Sequence, residues 1–296
     1  MSQPSGFIIV DKPAGVTSFA MVSLVRRLTG VRRVGHAGTL DPLASGVLPV
    51  AVGQATRFIE YLDGESKTYV AHVRFGAATD TYDAEGLVTE RGDPSAIDAR
   101  RIEAALPAFT GDVEQMPPLY SALKVAGKPL YRYARAGVEV EVAPRVVHVE
   151  RITLRWFEAG VAELEVRCGK GTYIRSLAHD LGRALGCPAH LAGLIRTSSG
   201  GFSIDEARTP EELRALANQG RLDEAILALD RPIERHPAAI FAEAHRRDVL
   251  AGRDVAIPPH PGADLCRAYS VEGAFLGVLR RRGDEVWHPE KVVGAG

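Results

Sequence analysis

Apolar and polar residues alternate along residues 67–76, in the segment KTYVAHVRFG. Tyr69, Ala71, Val73 and Phe75 fall on one side of an extended chain, and the intervening residues fall on the other. A period of two residues predicts a half-buried β-strand. The apolar face of this strand therefore carries one residue with a polar tip, Tyr69.

Other segments are apolar without alternation, which is typical of strands buried on both faces. GFIIV (6–10) and VLPVAV (47–52) are runs of this kind, and further strands are predicted at about 146–154 and 161–167. The segment 31–46 has no period and is rich in glycine, so we predict a loop there.

A period near 3.6 residues predicts two amphipathic helices. The first follows a capping residue, Thr17 or Ser18, and ends at Gly30. The second lies in KGTYIRSLAHDLGRALG, with Thr172 as its predicted N-cap and Gly186 at its end. Its apolar face consists of Ile174, Leu177, Ala178, Leu181 and Leu185. Further helical segments are predicted at 55–62, 98–109, 209–218 and 222–229.

The pattern changes near residue 231, where one helix is followed by several short strands. This predicts a small, mostly β module over 231–296, after a larger region at 1–230. Within the larger region, residues 116–146 mix proline, glycine, cations and three tyrosines with a poor apolar period. Such a loop often grips a polyanion. The alternative is an irregular surface excursion whose tyrosines pack on the body of the protein.

Composition narrows the class of protein. The 296 residues are 46% hydrophobic and 25% charged, which is ordinary for a globular chain. No stretch approaches the roughly 20 apolar residues of a membrane span, and the first residues lack the basic start of a signal peptide. We therefore expect a cytoplasmic protein without membrane contact.

The three cysteines are too few for a disulfide framework. Cys187 and His190 have the spacing of metal ligands, but no further partners are obvious, so ordinary buried thiols are the better interpretation. We expect no metal site.

The net charge of −1 does not indicate a nucleic-acid binder, but the distribution of charge is uneven. Residues 167–183 carry four cations against one acid, which can form a basic face. The alternative is a set of solvated surface charges. The four cations are Arg167, Lys170, Arg175 and Arg183.

Asp41 lies in a stretch with few other acids. Between Lys12 and Leu40 there is no Asp or Glu, while four arginines occur in the same stretch. Common catalytic motifs are absent: there is no P-loop, no G-x-S-x-G, no H-E-x-x-H and no dinucleotide-binding G-x-G-x-x-G. The isolated Asp41 is therefore the first candidate for chemistry.

Arg175 lies near the start of a predicted helix, about three residues in, where the helix dipole disfavours a cation. A local rule broken in this way suggests an anionic partner elsewhere in the fold. If that partner is Asp41, the pair keeps the carboxylate ionised and oriented. The alternative is an Arg175 side chain that points to solvent or to nearby backbone.

Four further residues can complete a site around Asp41. Tyr69 and Tyr173 can bind a flat polar ring together with Arg175 and Asp41, and Leu194 can close the apolar side, although each tyrosine alone is more typical of a core or rim position. His36 is most simply a loop histidine bonded to backbone, but beside an acid it can also stack on a base or fill the gap left by an extruded one.

These segments occur in an order that resembles the TruB family, the bacterial tRNA pseudouridine-55 synthases. The resemblance rests on GFIIVDKPAGVTS, GHAGTLDPLASGVLPVAVGQATRF, KTYVAHVRFGAATDTYDAEG, MPPLYSALKVAGKPLYRYARAG and CGKGTYIRSLAHDLG…AHLAGLIRTSSGGF. It implies a mixed α/β (α+β) fold: a catalytic domain at 1–230 with a central, largely antiparallel sheet, and a PUA-like RNA-binding module at 231–296. Guide-RNA-dependent relatives share much of the pattern. The order of segments, the insertion at 116–146 and the short C-terminal module favour the stand-alone type.

The resemblance also implies roles for individual residues. Asp41 matches the essential aspartate, Tyr69 the tyrosine that stacks on the target base and transfers a proton, and Arg175 the arginine that pairs with the aspartate. The substrate-binding set, in which Lys12 supports the active-site loop and His36 enters the RNA loop, comprises Lys12, His36, Tyr173 and Leu194.

The implied reaction converts a uridine in the T-loop of tRNA, at position 55, into pseudouridine. No group enters or leaves and nothing is oxidised, so no cofactor is needed. The expected partner is the tRNA T-arm stem-loop, bound by a monomer that needs no protein partner. Two other functions remain open: an N-glycosidase, for which a second carboxylate is missing, and a non-catalytic protein that binds or folds tRNA.

Overall fold

The computed structural model of the protein describes residues 4–62, 66–121, 123–138, 140–258 and 262–294. Helices and strands are mixed along the described chain, and the strands form two large sheets and two small two-stranded ones. The predicted mixed α/β class is confirmed.

The elements are numbered in chain order. The strands are β1 (Gly6–Lys12), β2 (Val34–His36), β3 (Ala44–Val52), β4 (Lys67–Phe75), β5 (Ala77–Thr79), β6 (Val88–Arg91), β7 (Gly111–Gln115), β8 (Lys124–Val125), β9 (Lys128–Pro129), β10 (Arg145–Glu158), β11 (Val161–Cys168), β12 (Ala189–Ser199), β13 (Phe202–Ser203), β14 (Ala238–Phe241), β15 (Val255–Ala256), β16 (Leu265–Ser270), β17 (Phe275–Arg281) and β18 (Val286–Val292). The α-helices are α1 (Ser18–Thr29), α2 (Ala99–Ala105), α3 (Leu130–Arg135), α4 (Ile174–Leu185), α5 (Pro210–Asn218) and α6 (Glu243–Leu250).

The central sheet has the order β1-β3-β12-β4-β11-β10-β7, with β2 paired to β3 and β13 paired to β12. Strands β3 and β12 are parallel, and the other described pairs in this sheet are antiparallel. The predicted largely antiparallel sheet is confirmed. The parallel pair is where the chain returns to the sheet centre after α4.

Strand β3 approaches β12 very closely at Gly46. A Cβ atom at this position would lie 2.3 Å from the carbonyl oxygen of Arg196, and the φ angle is +98°. Only glycine accepts both the contact and the backbone conformation. Gly46 therefore brings the loop before β3, which carries Asp41, against the edge of β12.

Strand β1 shows why its run of apolar residues lacks alternation. Ile8 and Val10 face the larger hydrophobic core, where α1 and α4 pack on the sheet. Phe7 and Ile9 face a second core on the opposite side of the sheet. Both faces of the strand are buried, as the continuous apolar run predicts.

Strand β4 keeps the predicted alternation on its core-facing side. Tyr69, Ala71, Val73 and Phe75 are all buried, at 7% exposure or less. Arg74 on the other face is exposed. The strand therefore carries Tyr69 into the interior between its neighbours β11 and β12.

The caps of the two main helices differ. The Thr17 side chain accepts a hydrogen bond from the Ala20 amide at the start of α1, as predicted. The prediction that Thr172 caps α4 was wrong. Tyr173 is the N-cap and makes no capping bond with its side chain, while the Thr172 hydroxyl donates to the Gly169 carbonyl. Helix α4 ends at Gly186, whose φ of +72° is the left-handed conformation of many helix ends.

Three other local predictions were wrong in part. The predicted loop at 31–46 contains strand β2 and the start of β3. The predicted helices at 55–62 and 222–229 are 3-10 segments, at Gly53–Arg57, Ile59–Leu62 and Leu222–Ala225. Such short segments follow tertiary packing, because isolated turns gain little from intrinsic propensity.

The C-terminal sheet has the order β14-β16-β17-β18-β15, and α6 packs against it. It contacts the second hydrophobic core, on the face of the central sheet opposite the larger core. There the rings of Phe58 and Phe275 lie with centroids 5.8 Å apart. Arg57 donates to the Val292 carbonyl at 2.7 Å. The mostly β character matches the prediction, and a boundary near residue 230 stays a prediction, since the sheet begins at Ala238.

The insertion at 116–146 contains the β8–β9 pair and α3. Its tyrosines include Tyr133, whose hydroxyl donates to the Val125 carbonyl within the insertion. Across the described parts of the chain, no helix combines the length and the apolar character that crossing a membrane requires.

Candidate active site

A cavity of about 380 Å³ opens where the loop before β3, the start of α4 and the strands β4 and β12 meet. Six of its lining residues carry polar side chains suited to binding or chemistry. These are Asp41, Lys67, Tyr69, Tyr173, Arg175 and Arg196.

Asp41 lies at the base of the loop between β2 and β3. Its main-chain carbonyl accepts a hydrogen bond from the Ala44 amide at 3.1 Å, which fixes the turn into β3. The side chain lies inside the cavity and keeps 42% of its surface open. Burial raises the pKa of the Asp41 carboxyl, while the Arg175 guanidinium opposes that shift. The group is therefore accessible from the cavity but poorly hydrated.

Arg175 lies at the second residue of α4, and its side chain is only 5% exposed. Its Nε atom is 2.9 Å from Asp41 Oδ2, so the structure brings together the two groups predicted to pair. Nη1 lies 3.3 Å from Asp83 Oδ2. The cation that the helix dipole disfavours is thus held between two carboxylates.

Backbone carbonyls complete the surroundings of Arg175. Nη1 donates to Thr81 O at 3.2 Å, and Nη2 donates to Tyr120 O at 3.0 Å. The Tyr120 contact links the insertion at 116–146 directly to the active-site arginine. The guanidinium is therefore fixed from three different segments of the chain.

Asp83 is a site residue that the sequence analysis missed. It is 3% exposed, and its Oδ1 accepts from the Thr81 hydroxyl at 2.6 Å and from the Glu85 amide at 3.1 Å. Tyr82, which lies between Thr81 and Asp83, has a φ of 64°. Its ring stacks on the His179 ring of α4, with centroids 4.1 Å apart. A strained turn packed in this way presents Asp83 to Arg175. The segment TDTYDAEG signalled only a turn.

Tyr69 is 7% exposed and reaches the cavity from β4. Burial raises the pKa of its phenol, and the neighbouring Arg196 guanidinium opposes the rise. The phenol is therefore protonated at neutral pH. Its ring forms a wall of the cavity suited to stacking against a planar ligand.

Arg196 was also missed, although it is fully buried at 0% exposure. It lies on β12 opposite Tyr69 in the strand register. Its Nε donates to Val47 O at 2.7 Å and its Nη2 donates to Gly38 O at 2.9 Å. The guanidinium thereby links β12 to β3 and to the loop that carries Asp41.

Tyr173 and Leu194 line the cavity, as expected. The backbone of Tyr173 is held by the Gln115 side chain, which accepts from its amide at 2.7 Å and donates to its carbonyl at 3.0 Å. Leu194 is 9% exposed and lies two residues before Arg196 on the same side of β12. The two residues give the cavity an aromatic and an aliphatic wall.

Lys12 does not line the cavity. It is fully buried, and its ammonium group donates to Pro13 O at 2.9 Å, Val16 O at 2.8 Å and Pro42 O at 3.4 Å. Burial lowers its pKa to about 8. A direct substrate contact does not follow from this position; the contacts support the loop next to Asp41.

His36 ends β2 and is half-buried, outside the cavity lining. Its Nδ1 atom is buried without a hydrogen-bond partner among the described residues. Burial lowers the pKa of the imidazole, and the Arg196 charge lowers it further. His36 is therefore neutral at physiological pH.

The basic face predicted for residues 167–183 is largely neutralised. Arg167 pairs with Glu150 at 2.7 Å, and Arg183 pairs with Glu90 at 3.6 Å. Arg175 is buried in the site. His190, the other half of the metal-like spacing with Cys187, has its Nδ1 bonded to Ala77 O at 2.8 Å.

Comparison with known proteins places this site in a family. A model described as TruB family pseudouridylate synthase, N-terminal domain, matches residues 26–174, and one described as tRNA pseudouridylate synthase B C-terminal domain matches 175–235. The chain belongs to the TruB family. The first match contains Asp41 and Tyr69, and the second begins at Arg175, so the cavity is built from both matched regions.

Individual TruB relatives are similar over nearly the whole chain. A tRNA pseudouridine synthase B from Dehalococcoides mccartyi is 41% identical over 288 residues, which is 97% of this chain and 96% of that protein. One from Stutzerimonas stutzeri is 44% identical over 277 residues, covering 93% and 90% of the two chains. The similarity therefore includes the C-terminal sheet.

Among solved structures, the TruB fold matches a chain of a Cbf5-Nop10-Gar1 complex. The TM-score is 0.73 with 27% sequence identity, and the match covers 97% of this chain and 84% of that one. An H/ACA RNP bound to a substrate RNA containing 2'-deoxyuridine matches with a TM-score of 0.72 at 25% identity. The fold is thus shared with a protein found in RNA-containing assemblies.

Proposed function

We propose that this protein isomerises a uridine in the T-loop of tRNA, at position 55, to pseudouridine. The observation that carries the proposal is the Asp41 carboxylate, paired to the buried Arg175 at 2.9 Å inside a cavity walled by Tyr69. The names of the relatives, tRNA pseudouridine synthase B, support the substrate class. The T-loop position follows from the resemblance to the TruB family.

The target base must leave its stack to reach the cavity, which costs a few kcal/mol. Stacking of the uracil ring on Tyr69 offsets part of that cost, roughly 1–3 kcal/mol. Leu194 covers the apolar side of the ring. His36 is neutral and ends the strand that precedes the Asp41 loop, and we assign it to the space that the base leaves in the RNA.

Asp41 then acts on the sugar, either as a nucleophile at C1′ or as a base on the ribose. In both routes the N1–C1′ bond breaks and its electron pair goes to the uracil ring. The ring turns and C5 bonds to C1′. In the nucleophile route the Asp41–C1′ bond breaks as C5 attacks, and in the base route the proton that Asp41 took from the ribose returns to it, so Asp41 regains its starting charge. Arg175 keeps the carboxylate ionised in a site from which the bound base excludes water.

The product gains a proton at N1 and loses one at C5. Burial raises the pKa of Tyr69, so the phenol starts protonated. To remove the C5 proton as a base, the Tyr69 phenol must first lose its own proton. If that proton goes to N1, the proton gained at N1 and the proton lost at C5 balance. Asp41 is the other candidate for removing the C5 proton. No cofactor enters either route, because the reaction rearranges bonds within one nucleotide.

RNA contacts outside the cavity are assigned to three surfaces: the basic segment 26–33, the insertion at 116–146 and the C-terminal sheet. Arg27, Arg32 and Arg33 are exposed, as phosphate contacts require. Relatives with 41–44% identity carry the name of the stand-alone enzyme. We therefore favour a cytoplasmic monomer that binds the T-arm without a guide RNA or a protein partner.

The test uses unmodified tRNA carrying tritium at uridine C5, with the wild type, Asp41→Asn and the matched control Asp223→Asn, an exposed aspartate outside the site. We expect tritium release by the wild type and by the control. Asp41→Asn should bind the RNA normally and release tritium at least about 10³-fold more slowly, because its amide cannot act as nucleophile or base.

Three results would contradict the proposal. Retention of the label by the wild type would exclude isomerisation of the labelled uridines. Appearance of free uracil would indicate an N-glycosidase, in which the ring leaves the cavity instead of turning within it. Equal activity of Asp41→Asn would indicate that another group performs the chemistry.

A further inference from the structure

Arg196 carries a buried hydrogen-bond donor without a partner. Two of its three nitrogens bond to the carbonyls of Val47 and Gly38, but Nη1 has no hydrogen-bond partner among the described residues. An unsatisfied donor on a buried charged group is energetically unfavourable, because the group has lost its bonds to water without gaining a replacement. Such a cost is tolerated at functional sites, where the partner arrives with a ligand.

Arg175 and Arg196 also differ in the charges that surround them. Arg175 has two carboxylates within 3.3 Å, whereas none forms an ion pair with Arg196 in the described parts of the chain. Burial lowers the pKa of Arg196, and the neighbouring Tyr69 phenol opposes the shift. An arginine nevertheless stays protonated in proteins. The site therefore holds a buried cation that forms no ion pair with any carboxylate among the described residues.

The position of Arg196 defines which part of a ligand it meets. It lines the cavity, lies opposite Tyr69 on the neighbouring strand and follows Leu194 by two residues on the same side of β12. A planar ring held between Tyr69 and Leu194 therefore presents its edge, and not its face, towards the guanidinium. The edge of a uracil ring carries the carbonyl oxygens O2 and O4.

We propose that Arg196 is a further catalytic residue, whose Nη1–H donates to a uracil carbonyl oxygen and stabilises the negative charge of the departing base. This inference rests on the proposed function. When the N1–C1′ bond breaks, its electron pair enters the ring and spreads from N1 to the carbonyl oxygens. A fixed donor in a dry site stabilises charge that develops in the transition state more than it stabilises the neutral ground state.

If Arg196 stabilises the departing base, the loss of rate in an Arg196 variant should depend on how readily that base leaves. In 5-fluorouridine the fluorine withdraws electron density, so the departing ring needs less help from the protein. The experiment compares single-turnover cleavage of the glycosidic bond in two tRNAs, one with uridine and one with 5-fluorouridine at the target position. Loss of the starting nucleoside is followed by complete digestion and chromatography.

We expect Arg196→Met to cleave the uridine substrate about 100-fold more slowly than the wild type, which is the lower end of the effect of removing one such donor. With 5-fluorouridine the loss should be less than about 10-fold. Arg196→Lys, which keeps the charge, should lie between the wild type and Arg196→Met on uridine. RNA affinity and the unfolding midpoint show whether each variant is folded. If Arg196→Met does not fold, Arg196→Lys is compared with the wild type on both substrates instead.

Arg267 provides the control. It is a largely buried arginine of the C-terminal sheet that donates to the His236 carbonyl at 2.9 Å, far from the cavity lining. Arg267→Met should change the two rates by the same factor. If the Arg196 variants also slow both substrates equally, or slow neither, the proposal is overturned. If the wild type converts no uridine at all, the proposed function fails first.

Discussion

The two walls of the cavity differ in the groups that surround their buried arginines. On the helix wall, Arg175 is surrounded by Asp41, Asp83 and two backbone carbonyls. On the strand wall, Tyr69 and Leu194 leave a flat slot beside Arg196, whose Nη1 has no partner in the described structure. Each wall has one buried guanidinium nitrogen without a hydrogen-bond partner in the described structure, Arg175 Nε and Arg196 Nη1. The difference is that Arg175 lies beside two carboxylates, whereas no described carboxylate forms an ion pair with Arg196.

Under the proposed function, this difference would let one small cavity both hold the Asp41 carboxylate and accept a base. A preorganised ion pair needs no rearrangement at the moment of reaction, so the proposal has Asp41 already held by Arg175 in the free protein. A slot with unsatisfied polar groups gains most from a ligand that supplies the missing acceptor. Substitutions in the two walls should therefore have different effects on stability, reaction rate and RNA affinity.

The largest effect is expected for Arg175→Met on the helix wall. The change leaves Asp41 and Asp83 close together without the intervening cation, and the two carboxylates can no longer both stay ionised. We expect a loss of stability of about 3–5 kcal/mol, because one partner of a buried ion pair is removed, together with loss of activity. Denaturant unfolding and tritium release measure the two effects. Unchanged stability would show that the pair is not buried in solution.

Asp83→Asn should have a smaller effect. Asn keeps the size of the side chain and can still accept a bond from Arg175, but it removes one of the two charges that hold the guanidinium. We expect single-turnover isomerisation to fall by about 10- to 100-fold, the cost of roughly 1.4–2.7 kcal/mol of lost positioning. RNA affinity should be retained. A variant with weaker RNA binding and an unchanged rate constant would contradict a positioning role.

The smallest effect on activity is expected for Lys12, which does not line the cavity; its expected effect is on stability. Burial lowers its pKa from an ordinary value of 10.5 to about 8 in the folded protein. Between those pH values the unfolded chain binds more protons than the folded one, so this group makes stability rise with pH through that window. Lys12→Met should abolish that contribution. Unfolding free energies from pH 7 to 10.5 test this, and parallel curves for the two proteins would contradict the shifted pKa.

Much of the fold could be predicted from the sequence because the sheet follows simple periodicity. The alternation in β4 correctly identified its buried face, and the continuous apolar run of β1 correctly indicated burial on both faces. The 3-10 segments near Ile59 and Leu222 could not be distinguished from α-helices, because short apolar segments take their form from the surfaces they pack against.

The candidate site was predictable where a residue broke a local rule. Arg175 violates the charge preference of a helix start, and this led to its partner Asp41. Arg196 could not be identified in this way, because no strand was predicted over Ala189–Ser199. The buried face that Arg196 shares with Leu194 is visible only in the structure. Asp83 gave no such signal, because aspartate is ordinary in a turn.

The most direct test of the account is a structure of this protein with a T-arm stem-loop carrying 5-fluorouridine at the target position. We predict an everted base lying between Tyr69 and Leu194, with an Asp41 oxygen bonded to the ribose or within about 3.5 Å of the ribose atom on which it acts. A base that remains stacked in the RNA loop, or one bound with Asp41 remote from the ribose, would contradict the central claim.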